Sequence, residues 1–129
     1  MRLSKGEIER LREAQRCPAG EHAAVLVKAT KATRPTGLWV ELTYQVGLDH
    51  QLVERFLVKP ARADLEGMSL DHLEMLLQAV EATLGVDEVE DLAEALTEMK
   101  GRPVRVEVSH VTDRAGKVSA RISAWRSAT

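Results

Sequence analysis

The sequence predicts an α+β fold that is mainly β, with five strands, an N-terminal helix and a helical segment between the third and fourth strands. Three observations carry this prediction. Apolar residues alternate with period two in five segments, helical periodicity interrupts them once, and a helix-capping pattern opens the chain. At 129 residues the chain is most simply one domain with its own core.

The N-terminal segment begins with the capping pattern Ser4–Glu7, which predicts a short charged helix to about Arg16. Pro18 and Gly20 end it. We therefore expect residues 1–20 to form a helical extension and residues 21–129 to form a single domain. That domain contains an acidic helical segment at 63–100.

Three strands are predicted next, in an antiparallel meander. The first begins at Ala23, and the turn Arg34–Gly37 leads into the second, Leu38–Val46, which alternates most cleanly. The third runs from Val53 to Lys59. Strand parity places Tyr44 and Phe56 in the core.

The helical segment is predicted to contain two amphipathic helices. Ser69 caps the first, Leu70–Leu84, and Gly85 ends it; an acidic cap at Asp87–Glu90 opens the second, which ends near Met99. Two strands follow, around Val104–Val108 and Val118–Trp125, joined by a hairpin loop at Asp113–Gly116. In the last strand, parity places Ile122 inward and Trp125 outward.

This order of elements is typical of the oligonucleotide/oligosaccharide-binding (OB) architecture, a five-stranded, partly open Greek-key barrel. The strand count and the position of the helical segment both favour it. A small α+β sheet with one helix-covered face is the structural alternative.

Charge is unevenly distributed along the chain. Residues 63–99 contain eleven carboxylates and no lysine or arginine, so the remainder carries 18 basic residues against nine acidic ones. A basic body with an acidic segment is expected to attract anionic ligands to its strands and repel them from its helices. Solvated helix faces are the simpler interpretation of the acidic residues, and a partner-docking element is the other.

The candidate binding residues follow from strand parity. Trp39 and Trp125 fall on the polar faces of their strands, where bases could stack on them beside a basic groove, as in single-strand binders. Lys31 and Arg34 are expected on the loop between the first two strands. Coverage by a helix is the alternative for the tryptophans. The candidate nucleic-acid-binding residues are Lys28, Lys31, Arg34, Trp39, Arg55, Lys59, Arg105, Arg121 and Trp125.

The sequence contains only weak motifs for catalysis or metal binding. The four histidines lack metal-ligand spacing, and His72 is expected to be ordinary helix surface. No phosphate-binding glycine loop or nucleophile elbow occurs. We therefore expect no enzyme activity, no metal and no cofactor. Cys17 is the single cysteine and has no partner for an internal disulfide. The sequence shows no secretory signal and no membrane-spanning segment. We therefore expect a reducing, cytoplasmic compartment.

Several segments of the chain share a pattern with one known family. They are Val25–Thr30, Arg34–Gly37, Leu38–Tyr44, Leu73–Leu77, Leu96–Val108 and the closing hairpin. In these segments the chain resembles a family of phage-encoded OB-fold proteins associated with single-stranded DNA binding. The resemblance covers roughly residues 22–125, and the chain departs from the family in its few aromatics and its additional N-terminal helix. The resemblance implies coating of single-stranded DNA during replication or recombination, in a bacterial or phage-infected cell.

Three functional hypotheses follow. The first is sequence-tolerant single-stranded DNA binding. The second is a protein-interaction or oligomerisation module that uses the acidic helices or the N-terminal helix. The third is a cold-shock-like RNA-binding domain.

Overall fold

The computed structural model describes residues 3–129, so Met1 and Arg2 of the predicted extension lie outside the described residues. It is an α+β protein with one five-stranded antiparallel sheet and three α-helices. The elements are α1 (Lys5–Gln15), β1 (Gly20–Arg34), β2 (Gly37–Val46), β3 (His50–Pro60), a 3₁₀ turn (Ala63–Leu65), α2 (Glu66–Leu84), α3 (Leu92–Met99), β4 (Pro103–Thr112) and β5 (Val118–Arg126).

The long first strand organises the sheet, whose order is β3-β2-β1-β4-β5. The first part of β1 pairs with β4, from Gly20 opposite Val108. Its second part pairs with β2, as far as Arg34 opposite Gly37. Strands β2 and β4 therefore flank β1, and their outer neighbours β3 and β5 form the two edges of the sheet.

The helices begin at positions that differ in part from the prediction. Ser4 caps α1 by accepting a hydrogen bond from the Glu7 N–H at 3.2 Å, as predicted. Ser69, however, is a buried residue inside α2, which starts at Glu66 directly after the 3₁₀ turn. The cap of α3 is Asp91, which accepts from the Glu94 N–H at 3.1 Å, so its predicted position at Asp87–Glu90 is wrong.

The core lies between the inner face of the sheet and helices α2 and α3. Tyr44 and Phe56 are buried in it, as strand parity predicted. From the helices, Leu76 and Val80 of α2 and Met99 of α3 enter the same cluster. Burial raises the pKa of Tyr44, because the phenolate would have to form without water around it.

Trp125 is in this core, so its predicted outward position is wrong. The β4–β5 register shifts by one residue, since Val108 lies opposite Ile122 whereas Glu107 lies opposite Ala124. A bulge of this kind reverses side-chain parity along the strand. Trp125 therefore faces the same side as Ile122 and is only 2% exposed.

The turn between β1 and β2 is shorter than predicted. Lys31 and Arg34 belong to β1 itself rather than to a loop, and the turn passes through Pro35 and Thr36. Gly37 follows with φ 138°, and a Cβ built there would lie 2.1 Å from the Lys59 carbonyl oxygen. Only glycine permits this approach of β2 to the end of β3.

The two edges of the sheet meet at a seam that has no backbone ladder within residues 3–129. Glu54 of β3, 2% exposed, bridges it. Its carboxylate accepts the Ile122 N–H of β5 at 2.7 Å and the Arg121 guanidinium at 2.8 Å. This pairing raises the pKa of Arg121. Helix α2 packs on both β3 and β5 and so covers the seam.

None of the helices in residues 3–129 combines the length and the apolar character that crossing a membrane requires.

Candidate nucleic-acid interface

The outer face of strands β1, β2 and β3 is the surface opposite the core. Cross-strand rows define it: Lys28 faces Thr43 on one row, and Glu41 lies between Thr30 and Arg55 on the next. Successive rows of a strand that point to one side are about 6.8 Å apart. We refer below to this surface as the outer face, which comprises the outward residues within 28–34 of β1 and the outward residues of β2 and β3 beside them.

Four predicted site residues are brought together on the outer face: Lys28, Arg34, Trp39 and Arg55. Lys28 and Arg34 are six residues apart on β1, a span of about 20 Å. This length is compatible with the site sizes of about 4–16 nucleotides found for single-strand binding on one OB domain.

Glu41 links two of these cations at the middle of the face. Its carboxylate accepts the Arg55 Nε–H at 2.8 Å and a hydrogen of Arg34 Nη2 at 3.1 Å. These contacts, with Arg55 first, hold the pKa of Glu41 below its usual range. The outer face therefore carries three cations against one carboxylate, and that carboxylate pairs with both of its arginines.

Trp39 is half-buried rather than freely exposed. Its indole N–H donates to the Thr36 hydroxyl at 2.8 Å, which fixes the ring orientation. The edge of the His72 ring packs against it, with 5.6 Å between the ring centroids. One part of the indole remains accessible, while His72, which lies at the edge of β3, covers another part.

His72 is thus more than helix surface, contrary to the prediction. Its Nδ1 accepts the Leu57 N–H at 2.7 Å and so satisfies an edge donor of β3. Burial lowers the pKa of His72; nearby Arg121 lowers it further, and Asp71 opposes them. The neutral ring that this hydrogen bond requires is therefore favoured.

The remaining candidates are not on the outer face. Lys31 lies opposite Val40 and Lys59 opposite Leu38, so the register places both on the other side of the sheet. Both side chains are exposed there. Trp125 is buried in the core and offers no ring surface for stacking.

Carboxylates outside the outer face contact Arg105 and Arg121. Arg105 lies opposite Ala23, on the same side of the sheet but at the N-terminal end of β1. Arg105 and Arg126 both contact Glu21, and Arg126 also contacts Glu107 at 3.0 Å. Hydrogen bonds from Arg105 lower the pKa of Glu21. This four-residue cluster on β1, β4 and β5 has no net charge. Arg121 is held at the seam by Glu54.

Sequence reasoning missed Glu41, Glu54 and His72 as organising residues. One signal for Glu54 was present in the sequence, because it alternates with Leu52 and Phe56 at an inward position of its strand. A carboxylate at such a position requires a partner. No comparable pattern marks Glu41, whose role depends on which arginines the register brings beside it.

Within residues 3–129 no group of three or more His, Cys, Asp or Glu side chains is arranged to hold a metal ion. No model of a known protein family matches the chain, and no curated protein matches it.

Proposed function

We propose that this protein binds single-stranded DNA with little sequence preference on the outer face of β1–β3, and that it serves replication or recombination. The observation that carries the proposal is the grouping of Lys28, Arg34 and Arg55 around one half-exposed aromatic ring. Cations that track a phosphate backbone and a ring on which a base stacks are the two elements of sequence-tolerant single-strand binding.

We propose also that the sheet is the partly open Greek-key barrel of the OB architecture. Two features support this. The strand order returns the edges β3 and β5 to one seam, and α2, between β3 and β4, covers it. In such barrels the second and third strands carry the nucleic-acid face, and Trp39 and Arg55 lie on these strands beside Lys28 and Arg34 of β1.

The negative charge of helices α2 and α3 also supports binding of DNA on the sheet rather than on the helices. Residues 63–99 carry eleven carboxylates and no lysine or arginine. Phosphates approaching α2 and α3 are repelled, so a strand is directed toward the sheet.

The first test is a fluorescence titration with oligo-dT at several salt concentrations. Trp125 is buried in the core, so a change in emission on binding reports mainly Trp39. Three cations less the Glu41 carboxylate correspond to about two phosphate contacts, which give a slope of about −1.4 in log K against log salt, at about −0.7 per phosphate. An affinity that does not change with salt concentration would exclude phosphate contacts and would refute the proposal.

Two matched variants locate the surface. Arg55→Gln and Arg105→Gln each remove an arginine that contacts one glutamate, Glu41 and Glu21 respectively. Only Arg55→Gln is expected to weaken binding and to reduce the slope by about 0.7. Equal effects of the two variants would place the interface elsewhere. Competition between dT and rU oligomers separates the DNA proposal from the cold-shock-like RNA alternative.

A further inference from the structure

An apolar groove lies between α2 and α3 and encloses about 360 Å³. Leu73, Leu77 and Val80 of α2 form one wall, and Val89 and Leu92 form the other. Leu73 and Leu77 remain 38% and 37% exposed. Leu73 and Leu77 therefore present apolar surface to solvent, whereas Val80, Val89 and Leu92 belong to the core or pack against it.

The surroundings of the groove are acidic. Asp87 and Glu88 lie in its lining, and Glu74 and Glu81 are exposed on α2 next to its wall residues. No lysine or arginine occurs anywhere between residues 63 and 99. A groove with an apolar floor and an acidic rim fits an amphipathic helix whose apolar stripe is flanked by basic residues.

Helix α1 of this chain has that composition on one flank of its stripe, whereas Glu7 lies on the other flank and pairs with Arg10 at 2.6 Å. None of its residues is buried. Ile8 and Leu11 are 40% and 46% exposed and form an apolar stripe one turn long. At 100° per residue, the basic residues of one flank lie about 40–80° from Ile8 around the helix axis. They are Lys5, Arg12 and Arg16.

The apolar stripe of α1 is short enough for the groove. Leu73 and Val80 are seven residues apart on α2, which corresponds to about 10.5 Å. Ile8 and Leu11 are three residues apart, about 4.5 Å along α1, whereas the whole helix of 11 residues is about 16.5 Å long. The stripe therefore fits within the groove, and the ends of α1 extend beyond it.

The connection after α1 favours docking onto another copy. Cys17 is 2% exposed, and its carbonyl accepts a hydrogen bond from His110 Nε2 at 2.8 Å. The Pro18 carbonyl contacts His22 Nε2 at 2.7 Å. These contacts fix the end of α1 beside β4, so docking onto the groove of the same chain would require releasing the buried Cys17.

We propose that α1 of one copy binds in the α2–α3 groove of a second copy, with its apolar stripe on Leu73 and Leu77 and its basic flank on Asp87 and Glu88. Reciprocal exchange of the two helices gives a two-fold dimer, the commonest closed arrangement. The buried surface is small, so association is expected to be weak and to depend on salt.

The test uses three full-length variants without nucleic acid. Ile8→Glu/Leu11→Glu places carboxylates against the acidic groove, and Leu73→Lys/Leu77→Lys places ammonium groups against the basic flank. Leu48→Glu, at a turn residue that is 95% exposed, is the matched control. Circular dichroism and a thermal transition establish that each variant folds.

Sedimentation velocity or light scattering over a concentration series measures association. The unchanged chain and Leu48→Glu are expected to dimerise, and each double variant alone is expected to be monomeric. A mixture of the two double variants is expected to form heterodimers, because each supplies the surface that the other lacks. A monomeric unchanged chain, including one with α1 folded onto its own groove, would overturn the proposal. So would double variants that still dimerise, or a mixture that stays monomeric.

Discussion

Replacing Glu41 with glutamine is expected to strengthen binding of single-stranded DNA. Glu41 is the one carboxylate among the three cations of the outer face, and it contacts both Arg34 and Arg55. Glutamine keeps the shape and one acceptor oxygen but removes the negative charge. Both arginines then become available to phosphates without a competing anion.

The magnitude follows from the charge count. The net charge of the face rises by one unit, so the slope of log K against log salt steepens by about 0.7. By Coulomb's law in water, one unit charge about 6 Å from a phosphate changes affinity by about threefold at low salt. The gain should decrease as salt is added, since the interaction lies at the surface.

The control is Glu21→Gln. Glu21 also contacts two arginines, Arg105 and Arg126, but in the cluster on β1, β4 and β5 outside the outer face. Oligo-dT titrations at four or more salt concentrations measure both variants. If Glu41→Gln leaves affinity unchanged, or Glu21→Gln strengthens binding as much, the outer face is not the interface and the reasoning is refuted.

Three further predictions concern the framework of the site. Burial lowers the pKa of His72 in the folded protein below its ordinary value of 6.5. As pH decreases below about 6.5, the unfolded chain is therefore protonated at His72 before the folded chain, and the free energy of unfolding should fall. Urea melts at pH 5 and 7 should show a smaller difference for His72→Asn, which keeps an acceptor without titrating; an unchanged difference would contradict this origin. Glu54→Ala leaves the buried Ile122 N–H without its acceptor and should cost about 1–3 kcal/mol in chemical denaturation, and Glu54→Gln less. Gly37→Ala should destabilise the fold by more than about 2 kcal/mol, because the backbone is strained and the new Cβ collides with the Lys59 carbonyl oxygen. Gly67→Ala, with open space around its Cβ, should be neutral or stabilising. Equal melting temperatures of the two variants would show that β2 tolerates a side chain at position 37.

The order and type of the elements could be predicted from periodicity because each segment carries its own pattern. The β2 alternation and the capping residue Ser4 are local signals, and both are present in the structure. The start of α2 could not be predicted in this way. It follows from a 3₁₀ turn at Ala63–Leu65 without a side-chain cap, so no capping residue marks it in the sequence.

The site was predictable only in part because strand parity fails at bulges. Between β4 and β5 a one-residue shift turns Trp125 into the core, and between β2 and β3 another shift separates Lys59 from Arg55. A one-residue insertion leaves no fixed pattern in the sequence, yet it exchanges the faces of everything after it. Ion pairs between strands, such as Arg34 with Glu41, depend on the same register.

The outer face and the proposed dimer together predict a dependence on DNA length. Three cations and one carboxylate form a weak single site, whereas two linked copies bind one long strand with an increased effective concentration. The Ile8→Glu/Leu11→Glu variant should therefore bind an oligomer of about 10 nucleotides as the unchanged chain does, because one face suffices. On an oligomer of about 60 nucleotides it should bind at least about tenfold more weakly. Equal losses on both lengths would mean that α1 contacts DNA directly, since its basic residues would then contribute to each site.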